Sequence, residues 1–213
     1  VVRPTPRQLR NRRIITVDDL PPPRDGGFHA SVAAVPEQVL NRSTWSPRCP
    51  VGRDDLRYLR VSFRGFDGQA HTGELIVHRR ATTTVVRVFR QLFQAGFPIE
   101  RMRVTSVAER DAPPTGDGNT TAAFVCRPVV GTRRWSQHAY GLAVDVNPFQ
   151  NPFTSGDVVL PELASAYTDR RWRRPGMILA GGTVVEAFGR AGWTWGGTFR
   201  GRPDPMHFSL GGG

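Results

Sequence analysis

The chain has 213 residues, a formal net charge of +11 and 38% hydrophobic, 22% charged and 9% aromatic residues. That composition is globular: it excludes wholesale disorder and fibres, and the length suits one domain with ordered extensions. The charge comes from 29 Arg without a single Lys, which favours polyanions. The arginines are scattered, with no basic helix and no regular aromatic interleaving, so no specific nucleic-acid partner is expected.

No apolar run approaches the roughly 18 residues that cross a bilayer, and the N-terminus has no basic flank followed by an apolar stretch. The chain is therefore either cytosolic or exported by a signal or anchor absent from this sequence.

Residues 1–55 are read as an N-terminal arm or linker, partly ordered, because residues 1–30 combine five early Arg within the first 13 positions with a Pro triplet and a Gly pair. The main folded domain is assigned to 56–213. Within it, residues 58–64 and 73–78 alternate like two strands around a turn at 65–68, which predicts a hairpin. Residues 82–95 carry Val85, Val88, Phe89, Leu92 and Phe93 at helical spacing, stopped by Gly96 and Pro98.

Residues 103–108 read as a strand, and 109–119 as a polar loop without the spacing of an EF-hand. A short strand is expected at 142–146, and a helix opened by a capping box over 183–186 and ending near Gly189 or Gly192. Late strands follow at 193–195 and 206–210. The fold class predicted is α+β, a largely antiparallel sheet with helices packed to one side. Cys49 and Cys126 form either one long-range disulfide or two buried thiols. A bond would close a loop of about 77 residues and add roughly 4 kcal/mol.

The chemistry gathers in two segments. In an extended 142–146 segment, Leu142, Val144 and Val146 share one face and Asp145 points to the other. In 206–210, Met206, Phe208 and Leu210 oppose His207 and Ser209 in the same way. If the two strands are neighbours, His138, Asp145 and His207 converge. Two His and one carboxylate leave one tetrahedral position open, the pattern of catalytic zinc, and Asp204, three residues before His207, is placed to act as base on a water there. His29, His71 and His78 are read as ordinary surface or core histidines.

Ser136, His138, Gly141, Ala143 and Asp145, followed by Asp204, Met206, His207 and Phe208, together resemble the M15 metallopeptidases. These are the D-alanyl-D-alanine carboxypeptidases and L-alanoyl-D-glutamate endopeptidases of peptidoglycan, and the likeness is to the branch with Asp before the last His. Residues 123–127, 147–148, 151–152 and 192–197 extend it over roughly 70–210.

The resemblance implies a fold like that of the Hedgehog domain and the DD-peptidases. It implies Zn2+ on His138, Asp145 and His207, with Asp204 as general base and then acid. It also implies that Arg127 holds substrate and polarises the scissile carbonyl, a role suited to a permanently charged guanidinium. Ser136 is expected to bond near the metal and Trp195 to wall the substrate cleft.

The activity expected is hydrolysis of peptidoglycan stem peptides, with D,D-carboxypeptidase preferred over L-Ala-D-Glu endopeptidase. The alternatives are a zinc-containing module that binds cell wall without cleaving it, and simple polyanion binding by arginine. The setting expected is the bacterial cell envelope outside the cytoplasm, for a monomer whose charge also attracts anionic wall polymers.

Overall fold

The computed structural model describes residues 2–129 and 131–211. Val130 lies outside them, as do Val1, Gly212 and Gly213, the outer ends of the two assigned segments. In chain order the elements are β1 (Ala30–Ala34), α1 (Glu37–Arg42), β2 (Leu56–Arg64), β3 (Ala70–His78), α2 (Thr82–Gln94), β4 (Arg101–Met102) and α3 (Val107–Asp111). There follow β5 (Thr120–Thr121), β6 (Ala143–Asp145), β7 (Phe153–Ser155), β8 (Val158–Leu160), α4 (Thr183–Arg190), β9 (Thr194–Trp195) and β10 (His207–Ser209).

The class is α+β, but the strands do not form one sheet. β1-β2-β3 and β6-β10-β9 are separate antiparallel sheets, beside a parallel pair β4-β5 and an antiparallel pair β7-β8. The 18 Pro and 23 Gly keep most strands after β3 to two or three residues, because Pro lacks the ladder donor and Gly weakens an extended segment. No helix among the described residues is long and apolar enough to cross a membrane.

β2 and β3 pair along nine residues, from Leu56↔His78 to Arg64↔Ala70. Their period of two builds two cores. Leu59, Val61, Phe63, Leu75 and Val77 meet Val85, Val88, Phe89 and Leu92 of α2, whereas Leu56 and Ile76 meet Val39, Leu40, Val104 and Phe124 on the other side. Each such buried side chain contributes about 1.5–3 kcal/mol. The first core continues into Val144 and Val146 beside β6 and into Phe208 of β10, whose ring stacks on Phe188 at 4.0 Å. The apolar side of the small sheet is thereby anchored in the main core, and its other side is left for polar groups.

The stretch read as a loose arm is bonded to the rest of the chain at many points. The Thr5 amide donates to Ser165 Oγ at 3.1 Å, the Arg12 amide to the Tyr167 hydroxyl at 2.9 Å, and the Arg12 guanidinium makes two bonds to Glu100, at 2.7 and 2.6 Å. Arg101 grips Asp19, and β1 pairs with β2 from Ala30↔Val61 to Ala34↔Arg57. Arg12 is buried, and its charge is tolerated there because Glu100, itself bonded by Asn119, compensates it.

Two local expectations are corrected. Residues 103–108 are not a strand: Ser106 and Glu109 form a reciprocal cap, with Glu109 N–H donating to Ser106 Oγ and Ser106 N–H to Glu109 Oε2, and so start α3. The capping box at the start of α4 does not form. Gly182 is its N-cap, Thr183 lies inside the helix, and the Glu186 carboxylate turns to Arg190.

Cys49 and Cys126 are joined, closing a loop with a sequence separation of 77. Replacing both with Ser is expected to lower unfolding free energy by about 4 kcal/mol through restored loop entropy. Urea denaturation of the double variant measures this, and an unchanged midpoint would exclude it.

Candidate metal centre

His138 sits in a single 3-10 turn, Gln137–Tyr140. Ser136 starts the turn, its hydroxyl accepting from the His138 amide at 3.3 Å, and Gly141 ends it in the left-handed region at φ 69°. A Cβ on Gly141 would lie 2.6 Å from the His78 amide nitrogen. Glycine therefore lets this turn close against β3, where the His78 amide donates to the Gly141 carbonyl at 2.8 Å. The residues after it enter β6, which carries Asp145.

β6 and β10 are antiparallel neighbours with His207 directly opposite Asp145 and Phe208 opposite Val144. Opposed residues share a face. Asp145 and His207 thus project together on the side away from the core. The segment 122–127 runs along the other edge: Ala122 and Asp145 exchange backbone bonds of 3.1 and 2.9 Å, and the Val125 amide donates to the His138 carbonyl at 3.2 Å.

Three atoms come together there. His138 Nε2 lies 3.1 Å from His207 Nδ1 and 3.2 Å from Asp145 Oδ1, and His207 Nδ1 lies 3.1 Å from Asp145 Oδ1. A tetrahedral zinc with bonds of about 2.0–2.2 Å separates neighbouring donors by about 3.3 Å. His138 Nδ1 is 2.5 Å from the Ala123 carbonyl, an acceptor only, so this nitrogen carries the proton and Nε2 presents its lone pair to the cluster. Two imidazole nitrogens and a carboxylate oxygen facing one another across little more than 3 Å fit a divalent cation, and three protein donors leave further coordination positions open. Among the described residues, no other group of three His, Cys, Asp or Glu side chains is so disposed.

The two carboxylates are driven apart electrostatically. Burial opposes ionisation of Asp145, but the adjoining His138 and His207 outweigh it and hold the group far below the usual carboxylate range. For Asp204, burial and then the charge of Asp145 raise the pKa to about 7, while His207 and Arg127 oppose the rise. Asp204 Oδ1 is buried without a hydrogen-bond partner. One acid is thus ionised beside the histidines, and the other titrates near neutrality, a division of roles suited to acid-base work.

Asp204 is held by its backbone, its amide donating to the Gly196 carbonyl at 2.9 Å and its carbonyl accepting from His207 at 3.0 Å. Gly196 permits this approach, since a Cβ there would lie 2.5 Å from the Asp204 carbonyl oxygen. Arg127 lies close enough for its charge to lower the Asp204 pKa, and its own Nη1 donates to the Pro128 carbonyl at 3.2 Å.

Ser136 is placed as a backbone cap, bonded to the His138 amide, with its own amide donating to the Arg127 carbonyl at 3.2 Å. Trp195 lies elsewhere than expected. It pairs with Phe208, so it shares the face of Phe208 and Val144, opposite that of Asp145 and His207, and its indole donates to the Pro205 carbonyl at 2.9 Å. It braces the Asp204 loop from behind. Sequence reasoning did not single out the Ala123 carbonyl, because a backbone acceptor leaves no mark in residue type. It quoted Gly141 and Gly196 only as parts of motifs.

Residues 130–210, which contain all three converging side chains and Asp204, match the family model described as D-alanyl-D-alanine carboxypeptidase, of the M15 peptidases. This segment belongs to the M15 peptidase family. The match supports a hydrolytic peptidase acting on cell-wall peptides. Ala123 and Arg127 lie before the matched M15 segment, and no curated protein and no solved structure matches the chain.

Proposed function

We propose that the chain is a zinc-dependent peptidase that removes the terminal D-alanine from peptidoglycan stem peptides, with the Hedgehog/DD-peptidase architecture and a peptidase domain over 56–213. The observation that carries this reading is the triangle of His138, Asp145 and His207 donor atoms with the Asp204 carboxyl beside it, inside the M15 segment.

His138, Asp145 and His207 would hold the ion, Ala123 fixing the His138 tautomer. Zinc bound there supplies Lewis acidity and lowers the pKa of a bound water to about 7. Asp204 takes the proton of the attacking water and delivers it to the departing amine, which a carboxyl titrating near neutrality can do in both directions. Arg127 lends positive charge to the developing oxyanion and to the substrate carboxylate.

The setting that fits is the bacterial cell envelope outside the cytoplasm. There a monomer of net charge +11 is drawn to stem-peptide carboxylates and anionic wall polymers, and to no specific nucleic acid.

Digestion of purified peptidoglycan, followed by mass spectrometry, tests the reading. The expected result is loss of a single alanine from pentapeptide stems, abolished by a chelator and restored by zinc, with about one zinc per chain. Cleavage between L-Ala and D-Glu would replace the carboxypeptidase by the endopeptidase. Tight muropeptide binding without cleavage in fully zinc-loaded protein would replace the enzyme by a binding module.

A further inference from the structure

On the side of the Asp204 loop braced by Trp195 lies a cavity of about 370 Å³. Pro203 and Pro205, the neighbours of Asp204, form part of its wall, and none of His138, Asp145, Asp204 and His207 lines it. The lining includes Arg170, Arg173 and Thr154, with Leu179 and Trp195 as apolar surface, and it contains no Asp or Glu.

Arg170 is held rigidly. Its Nη1 donates to the carbonyls of Gln150 and Tyr167 at 2.9 and 3.0 Å, and its Nη2 to Asn151 Oδ1 and the Ile178 carbonyl at 3.0 and 2.5 Å. All four acceptors are neutral, so the guanidinium is positioned without being neutralised. Burial pushes its pKa down to about 10, which leaves the group charged at neutral pH. A charge removed from water with no counter-ion is costly, and an anion brought to it offsets that cost. Arg173, exposed and also in the lining, offers a second guanidinium, and fork-shaped donors of this kind suit carboxylate and phosphate oxygens.

We infer that this cavity is a second binding site, taking a carboxylate or phosphate carried on a small apolar group. Arg170 is its fixed charge, Arg173 the donor that closes on the anion, and Leu179 and Trp195 the surface for the apolar part. The cavity shares the 203–205 segment with the metal centre, but its anion binding stands independently of peptide hydrolysis.

Titration of the zinc-loaded chain by NMR, following the Trp195 indole N–H resonance identified by its absence in Trp195→Phe, tests the site. The probes are N-acetyl-D-alanine for a peptide carboxylate and glycerol 3-phosphate for the phosphate of a wall polymer. Saturable shifts are expected. Saturation by one probe alone identifies the source, and saturation by both supports the shared oxyanion chemistry.

Arg173→Gln and Ala180→Glu, the latter adding a negative charge at an exposed lining position, are each expected to weaken binding at least tenfold at unchanged melting temperature. Linear shifts without saturation, or equal affinity in both variants, would overturn the site. So would binding that persists in the variants but disappears on chelation, because that places the anion on the metal centre. Hydrolysis is not the readout, so failure here leaves the peptidase reading untouched.

Discussion

Asp204→Asn is expected to reduce peptide hydrolysis by about three orders of magnitude, within the range of 10²–10⁴ for loss of a general base, while zinc content stays at the wild-type level. Asparagine preserves the shape of the side chain and both backbone bonds that hold the loop, to Gly196 and from His207. What it removes is a carboxyl whose Oδ1 is buried without a partner and whose proton is held until about pH 7. Steady-state kinetics on a D-alanyl-D-alanine-terminated peptide, with metal analysis of the same samples, decides the point. Activity surviving within tenfold would discard Asp204 as the base.

The same variant carries a stability signature in metal-free protein. The folded pKa of Asp204 lies above the ordinary aspartate value of 3.8, so the folded state holds its proton longer than the unfolded chain does. Stability from this group is then fullest below about pH 4 and falls as pH rises towards 7, by roughly 4 kcal/mol in total. Asparagine does not titrate. Metal-free Asp204→Asn should therefore match the wild type near pH 4 and exceed it at pH 8, as read from urea midpoints at both values. A gap that is the same at the two pH values would contradict the assignment.

Gly141→Ala is expected to cost about 3 kcal/mol or more and to lower zinc affinity at least tenfold. At φ 69° an alanine is strained. Its Cβ would also stand 2.6 Å from the His78 nitrogen and 3.0 Å from the Val77 carbonyl carbon. Those are main-chain atoms of β3, paired along β2, so they cannot swing aside as a flexible side chain would, and overpacking of this kind costs about 1–3 kcal/mol by itself. The displacement falls between His138 and Asp145, which is why metal binding weakens with the fold. Gly189→Ala provides the contrast. That glycine lies within α4, where an added methyl would meet nothing within 4 Å, and alanine there should leave zinc affinity unchanged and add up to about 1 kcal/mol. Thermal unfolding and zinc competition assays on the pair test both statements.

Much of the site was readable from short-range pattern. Alternation around Asp145 and His207 set each polar residue against an apolar face, and the observed register keeps that arrangement. The stripe of α2 and the β2-β3 hairpin were legible for the same reason: periodicity and turn residues act over a few positions. Where two local signals competed, the reading failed. Residues 103–108 look extended by composition, yet the reciprocal bonds of Ser106 and Glu109 start a helix. Thr183 and Glu186 have capping-box spacing, yet Gly182 takes the cap.

Long-range geometry was a different matter. That β10 lies against β6, that Ala123 supplies the carbonyl fixing His138, and that Cys49 meets Cys126 are contacts between residues far apart in the chain. So is the burial of Arg12, one of 29 arginines, against Glu100. Trp195 was assigned to the substrate side by motif and turned to the other face by its pairing with Phe208. Residue types encode which face of a segment prefers water. Which segments then share a face follows from the burial and hydrogen bonding of the whole chain, a collective balance that no local stretch contains.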